Sequence, residues 1–177
     1  STGVIGMPLN LAPIENGMAE LVAGLDYDNS GLAAEGIMTT DTKKKEIAVS
    51  FDIDGVECRI GGIAKGSGMI HPNMATMLVF VTSDVAITSE MLQKAVSEDV
   101  KTSFNMISVD GDTSTNDTFA VLSNGMAGNK LIDSEGEAYD KFCEALHKVS
   151  VYLSRKIAGD GEGATKLLEC KVTGGKT

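Results

Sequence analysis

Tryptophan is absent from this sequence, and only five Phe and three Tyr occur among its 177 residues. A core must therefore be assembled from Ile, Leu, Val, Met and Ala. Basic residues are also scarce: 15 Lys and Arg against 25 Asp and Glu leave a formal charge of -10. Phosphate backbones and anionic lipid surfaces are bound by basic faces, so the deficit argues against nucleic acid and against a membrane as partner. No apolar run approaches the roughly 18 residues that span a bilayer. The opening STGVIGMPLN lacks the basic segment that begins a secretory signal. The cysteines Cys58, Cys143 and Cys170 show no CxxC spacing and sit among apolar neighbours. They read as buried, reduced thiols of a cytoplasmic protein. His71 and His147 have no ligand-like spacing, and no metal site is expected.

What is present is ordinary for a soluble globular domain: 42% hydrophobic and 23% charged residues, in a chain long enough for one real core. The three- and four-residue spacing of Met18, Leu21, Val22 and Leu25 predicts a helix over 16–26. Ile47, Val49, Phe51 and Ile53 alternate with polar residues, Asp54-Gly55 supplies a tight turn, and alternation resumes over 56–60, which predicts a hairpin. Residues 61–75 are Gly-rich, and 76–83 form a short β-branched run suited to a buried strand. Thr88 or Ser89 caps a helix over 89–102, with Met91, Leu92, Ala95 and Val96 inward. Two strands are expected at 104–109 and 118–122. A long helix is expected over 136–158, with Tyr139, Phe142, Leu146, Val149, Leu153 and Ile157 inward. A last strand is expected at 164–172. The clear strand pairs are antiparallel, so the fold expectation is α/β with mixed, largely antiparallel sheets layered with helices, and not a doubly wound dinucleotide fold. Both ends read as cut: Ser1-Thr2-Gly3 enters abruptly, and Lys171-Val172-Thr173 ends a strand with no cap.

Two tempting motifs fail. Asp110 to Asp117 (DGDTSTND) places Thr115 and Val121 where a calcium-binding EF-hand loop needs Gly and Glu. Lys65-Gly66-Ser67-Gly68 does not continue into the lysine and hydroxyl of a P-loop. Thr76 is more interesting. A Gly-rich loop runs into it, and the small Ala75 precedes it. If that loop is strained, the hydroxyl can attack the preceding carbonyl and displace the Thr nitrogen; this N-to-O acyl shift frees the Thr amine, and hydrolysis of the resulting ester then separates the chains. That amine, with a reference pKa near 8, then lies beside its own hydroxyl as a general base. His71 lies in the same loop and reads as an ordinary loop histidine.

Lys65 to Leu78 (KGSGMIHPNMATML) resembles the self-cleavage segment of the bifunctional ornithine acetyltransferase / N-acetylglutamate synthase family of arginine biosynthesis. Val109 to Asp117 is similar to a second signature of that family, and Ser1 to Gly6 (STGVIG) to a third. The three motifs occur in the family's order and cover most of the chain.

The resemblance implies an enzyme, a glutamate N-acetyltransferase. It implies cleavage between Ala75 and Thr76, so that 1–75 ends an α-chain and 76–177 begins a β-chain. Together these would form one catalytic domain, incomplete at both ends against a family chain roughly twice this size. The fold implied is the layered sandwich of ornithine acetyltransferases and N-terminal-nucleophile aminopeptidases. Thr76 is implied as the nucleophile that carries acetyl from N-acetylornithine to glutamate, and Thr2 and Gly3 as the oxyanion hole. Thr39, Lys65 and Glu162, with Thr76, are implied as substrate-binding positions. A lysine suits the substrate carboxylate and a glutamate its ammonium group. No metal or organic cofactor is implied. Some members also accept acetyl-CoA as co-substrate. The cleaved chains are expected to associate as an α2β2 assembly in the cytoplasm. Two alternatives remain at this stage: an N-terminal-threonine amidohydrolase or aminopeptidase, and an inactive, uncleaved fragment.

Overall fold

The structure, a computed structural model, describes residues 6–71, 74, 75, 77–112, 114 and 117–174. Its centre is a four-stranded sheet of order β1-β2-β5-β6. The strands are β1 (Lys45–Ile53), β2 (Val56–Lys65), β5 (Leu78–Ser83) and β6 (Thr118–Ser123). The hairpin expected from alternation is β1–β2, in register from Ile53↔Val56 to Lys45↔Ala64. Its two-residue turn has Asp54 at φ 53° and Gly55 at φ 82°, the paired left-handed geometry that suits the twist of a hairpin. β2 runs five residues further than alternation suggests, because Gly61 to Lys65 pair with β5 as well as with β1.

β5 and β6 are parallel while β1–β2 and β2–β5 are antiparallel, the mixed, largely antiparallel sheet that was expected. A parallel pair needs a crossover connection, and helix α3 (Ser89–Thr102) supplies it. Thr88 caps α3 by accepting the Met91 N–H. Between β2 and β5, the short strands β3 (Ile70–His71) and β4 (Met74–Ala75) pair as a small second sheet.

Helix α4 (Glu137–Ala158) lies across the sheet, and its expected inner face is the observed one: Tyr139, Phe142, Leu146, Val149, Leu153 and Ile157 are all buried. They meet Ile53, Cys58, Ile60, Val79 and Val81 from the strands. The close approach depends on Gly62. A Cβ there would lie 2.8 Å from Val81 Cγ2 and 3.2 Å from Leu153 Cδ1. Gly62→Ala is therefore expected to destabilise the fold by about 1–3 kcal/mol, the usual range for overpacking, as read by urea unfolding. An unchanged midpoint would mean that α4 does not sit this close to the sheet.

Several sequence expectations are corrected. Residues 104–109 do not form a strand. Phe104–Met106 is a 3₁₀ turn that turns Phe104 into the core, with its ring 5.0 Å from that of Phe119. No strand forms at 164–172, because no described residue pairs with it, and Leu168 is 90% exposed. The first helix, α1, is Ala12–Ala23, starting earlier than the stripe suggests, and none of its residues is buried. A short helix α2 (Ser30–Gly36), absent from the sequence reading, buries Ala34. Of the cysteines, only Cys58 is buried; Cys143 is half-buried and Cys170 exposed. Among the described residues no helix is long and apolar enough to cross a membrane.

Candidate active site

The alternation that turns Ile47, Val49, Phe51 and Ile53 toward α4 extends back by two residues to Lys45, which is 1% exposed. A buried ammonium is tolerated only when its charge and its donors are met. Lys45 Nζ donates to Asp41 Oδ1 and to Asp160 Oδ2, each at 2.6 Å, and to the Lys43 carbonyl at 3.4 Å. The carboxylates are as fully engaged. Asp160 also accepts from the Thr42 hydroxyl and from the Thr42 and Lys43 N–H groups. Asp41 accepts from the Gly66 N–H at 2.7 Å and the Thr39 N–H at 3.3 Å. Burial alone would push the Asp41 carboxyl up. The Gly66 N–H, the Lys45 hydrogen bond and charge, and the Thr39 N–H outweigh it and hold the group below the usual carboxylate range. Asp160 is held low in the same way, with Lys45 and Thr42 opposing burial.

This cluster lies beneath three of the expected substrate-binding residues and brings them together. Lys65, at the end of β2 and buried, donates to Thr39 Oγ1 at 2.8 Å. The next residue, Gly66, is tied to Asp41. The Ser67 hydroxyl is 2.6 Å from that of Thr40, and the Ser67 carbonyl accepts the Glu162 N–H at 2.7 Å. Gly68 then leaves room for the Glu162 side chain, since a Cβ there would stand 3.1 Å from its carboxyl carbon. Thr39 and Glu162 are exposed at the rim, and Lys65 lies at the base. The 65–68 turn thus gathers a cation, a hydroxyl and a carboxylate, a donor set that fits a small molecule bearing both a carboxylate and an ammonium group.

The turn continues into the β3–β4 ribbon. Met69 has φ 52°, a left-handed conformation costing a non-glycine residue on the order of 1–2 kcal/mol. Asp110 accepts the Met69 N–H at 2.6 Å and the Ile70 N–H at 3.0 Å. Burial works against the charged form of Asp110, but these backbone donors hold its carboxyl below the usual range. Ile70 pairs with Ala75, whose backbone closes β4. On the far side, Asp117 Oδ1 accepts the Met77 N–H at 3.1 Å. The DGDTSTND segment is thus bonded to the backbone both before and after residues 75–76.

Thr76, Thr2 and Gly3 lie outside the described residues, as does the side chain of Ala75. Sequence reasoning missed Asp41, Lys45, Asp160, Asp110 and Asp117. Lys45 did leave a signal, as the polar residue on the inward set of β1. Among the described residues no group of three or more His, Cys, Asp or Glu side chains could hold a metal ion.

Fold and site together define a mixed α/β domain with a buried lysine–carboxylate cluster under a Gly-rich turn. The model of the ArgJ family matches residues 1–177. The arginine biosynthesis bifunctional protein ArgJ 1 of Clostridium acetobutylicum is 53% identical over 174 residues, covering 98% of this chain and 43% of its own length. The arginine biosynthesis bifunctional protein ArgJ of Symbiobacterium thermophilum is 51% identical over 177 residues, covering 100% of this chain and 44% of its own. The crystal structure of the arginine biosynthesis bifunctional protein from Bacillus halodurans superposes with a TM-score of 0.50 at 46% identity, covering 51% of this chain and 43% of that one. The chain belongs to the ArgJ family, and it spans less than half the length of the curated relatives it matches.

Proposed function

We propose that this chain carries the nucleophile and part of the substrate pocket of an acetyltransferase that moves acetyl from N-acetylornithine to glutamate in arginine biosynthesis. The observation that carries the reading is the convergence of Thr39, Lys65 and Glu162 on the Gly66–Gly68 turn. Three residues far apart in sequence meet at one turn, where a recess between them would carry charges that match an acetylated diamino acid.

In this reading the chain is cleaved between Ala75 and Thr76, giving an α-chain ending at 75 and a β-chain beginning at Thr76. The freed Thr76 amine takes the proton from its own hydroxyl as the oxygen attacks the acetyl carbonyl. Donors at Thr2 and Gly3 stabilise the oxyanion. The C–N bond then breaks, the amine returns the proton to the departing nitrogen, and ornithine leaves. Glutamate enters the same recess, and its neutral amine attacks the Thr76 ester, releasing N-acetylglutamate and the hydroxyl. Lys65 holds the substrate carboxylate and Glu162 the ammonium group of ornithine. The cycle uses no metal or organic cofactor, and acetyl-CoA is an additional acetyl donor in some members of the family. The cleaved chains associate as α2β2 in the cytoplasm.

Incubation with acetyl-labelled N-acetylornithine, with and without glutamate, tests this. Labelled N-acetylglutamate is expected only when glutamate is present. Labelled acetate forming equally fast in both, with no N-acetylglutamate, would make the protein a hydrolase.

A further inference from the structure

Lys65 makes a long ion pair with a carboxylate but no hydrogen bond to it. Its Nζ is 4.0 Å from Asp41 Oδ2, beyond hydrogen-bond distance, and its one direct partner among the described residues is the Thr39 hydroxyl. Asp41 is meanwhile filled by Lys45, Gly66 and Thr39. Lys45 is in turn fixed from the opposite side by Asp160, itself secured by Thr42 and Lys43. Both lysines are buried, so the contest between them for Asp41 is little screened by solvent.

We infer that Lys45, seated by Asp160, occupies Asp41 so that Lys65 keeps ammonium donors available for the ligand's carboxylate. Lys45 and Asp160 are positioning residues that set the anion affinity of the recess without touching ligand. Without Lys45, rotation of the Lys65 side chain closes the 4.0 Å gap to Asp41, and the recess loses its cation to an internal pair. The inference rests on Lys65 as the carboxylate-binding residue.

The test is kinetic, in the intact protein, with N-acetylornithine as donor. Lys45→Met combined with Asp160→Asn removes the lysine and one carboxylate together, leaving no added net charge. KM is expected to rise about ten- to a hundredfold, the range for losing one hydrogen bond to a charged group, with kcat little changed. Asp41→Asn removes the competing charge beneath Lys65, and KM is expected to fall by a few-fold. Opposite signs are the signature, because a cluster that merely held the fold together would weaken binding in both variants. An unchanged KM in the double variant, or a KM that rises in Asp41→Asn, would overturn the inference. Should the double variant not fold, Asp41→Asn alone decides by its sign. Lys65→Met is the control: if it leaves KM unchanged while wild-type exchange persists, Lys65 does not bind the carboxylate and the inference falls with that assignment.

Discussion

Replacing Thr76 with alanine is expected to leave the chain uncut between residues 75 and 76 and to abolish acetyl transfer. The two losses have one cause. In the proposed mechanism the hydroxyl attacks the Ala75 carbonyl in the self-cleavage step, and the same oxygen later carries the acetyl group. Without it there is no ester to hydrolyse, no free amine to act as base, and no acyl carrier. Loss of a nucleophile in acyl-transfer enzymes lowers kcat by roughly 10⁴- to 10⁶-fold, so residual transfer should fall to background. Denaturing electrophoresis gives the first outcome and the labelled-acetyl exchange the second. Cleavage at the wild-type rate in Thr76→Ala would contradict the mechanism outright.

Lys45→Met is expected to be the most destabilising single change in the described part of the chain. Lys45 is 1% exposed and bridges two carboxylates. Breaking a buried ion pair by removing one partner costs about 3–5 kcal/mol, because the remaining charges stay buried without compensation. The pH dependence identifies the cause. In the wild type, burial opposes the charged forms of Asp41 and Asp160, yet their hydrogen bonds and Lys45 hold both groups low. A depressed carboxylate contributes stability that is fully present above its unfolded pKa, about 4, and is lost as pH falls through the folded value. In Lys45→Met, burial is opposed only by the Gly66 and Thr39 donors at Asp41 and the Thr42 donors at Asp160, so protonation costs the variant less than it costs the wild type. The stability gap should therefore be widest near neutral pH and should narrow below about pH 4–5. A gap independent of pH, followed by urea unfolding across that range, would assign the loss to packing and not to charge.

Much of the fold was legible because its elements carry clean periods. α4 has six apolar residues on one helical stripe, and all six are buried. The β1–β2 hairpin has strict alternation and a turn dipeptide with the required backbone geometry. What was not legible has a different character, since it depends on partners that local pattern does not name. The parallel pairing of β5 with β6 follows from where the α3 crossover returns the chain. The 164–172 segment has strand-like composition but no partner among the described residues, and composition cannot supply a ladder. Phe104 to Val109 has strand-forming residues too, yet burying Phe104 against Phe119 requires a turn there.

At the candidate site, the family resemblance implied Thr39, Lys65 and Glu162 as substrate-binding positions, and the structure brings them to one turn. The supporting charges were harder to see. Asp41 and Lys45 are four residues apart, a spacing that in sequence suggests a solvated helical pair, whereas here it joins a loop to the first residue of a strand. Asp160 meets them from 115 residues away, a contact that only the packing of α4 on the sheet creates. Lys45 alone betrayed itself, as a charge in phase with the apolar face of β1.

The most direct test is the state of Thr76 after the protein meets N-acetylornithine in the absence of glutamate. The reaction is quenched in acid and its peptides are read by mass spectrometry. The account predicts a peptide that begins at Thr76 and bears a single acetyl group as a side-chain ester. That acetyl should disappear when glutamate is added, as N-acetylglutamate forms. A peptide running unbroken through Ala75 and Thr76, or a free Thr76 that never takes up acetyl while exchange proceeds, would contradict it.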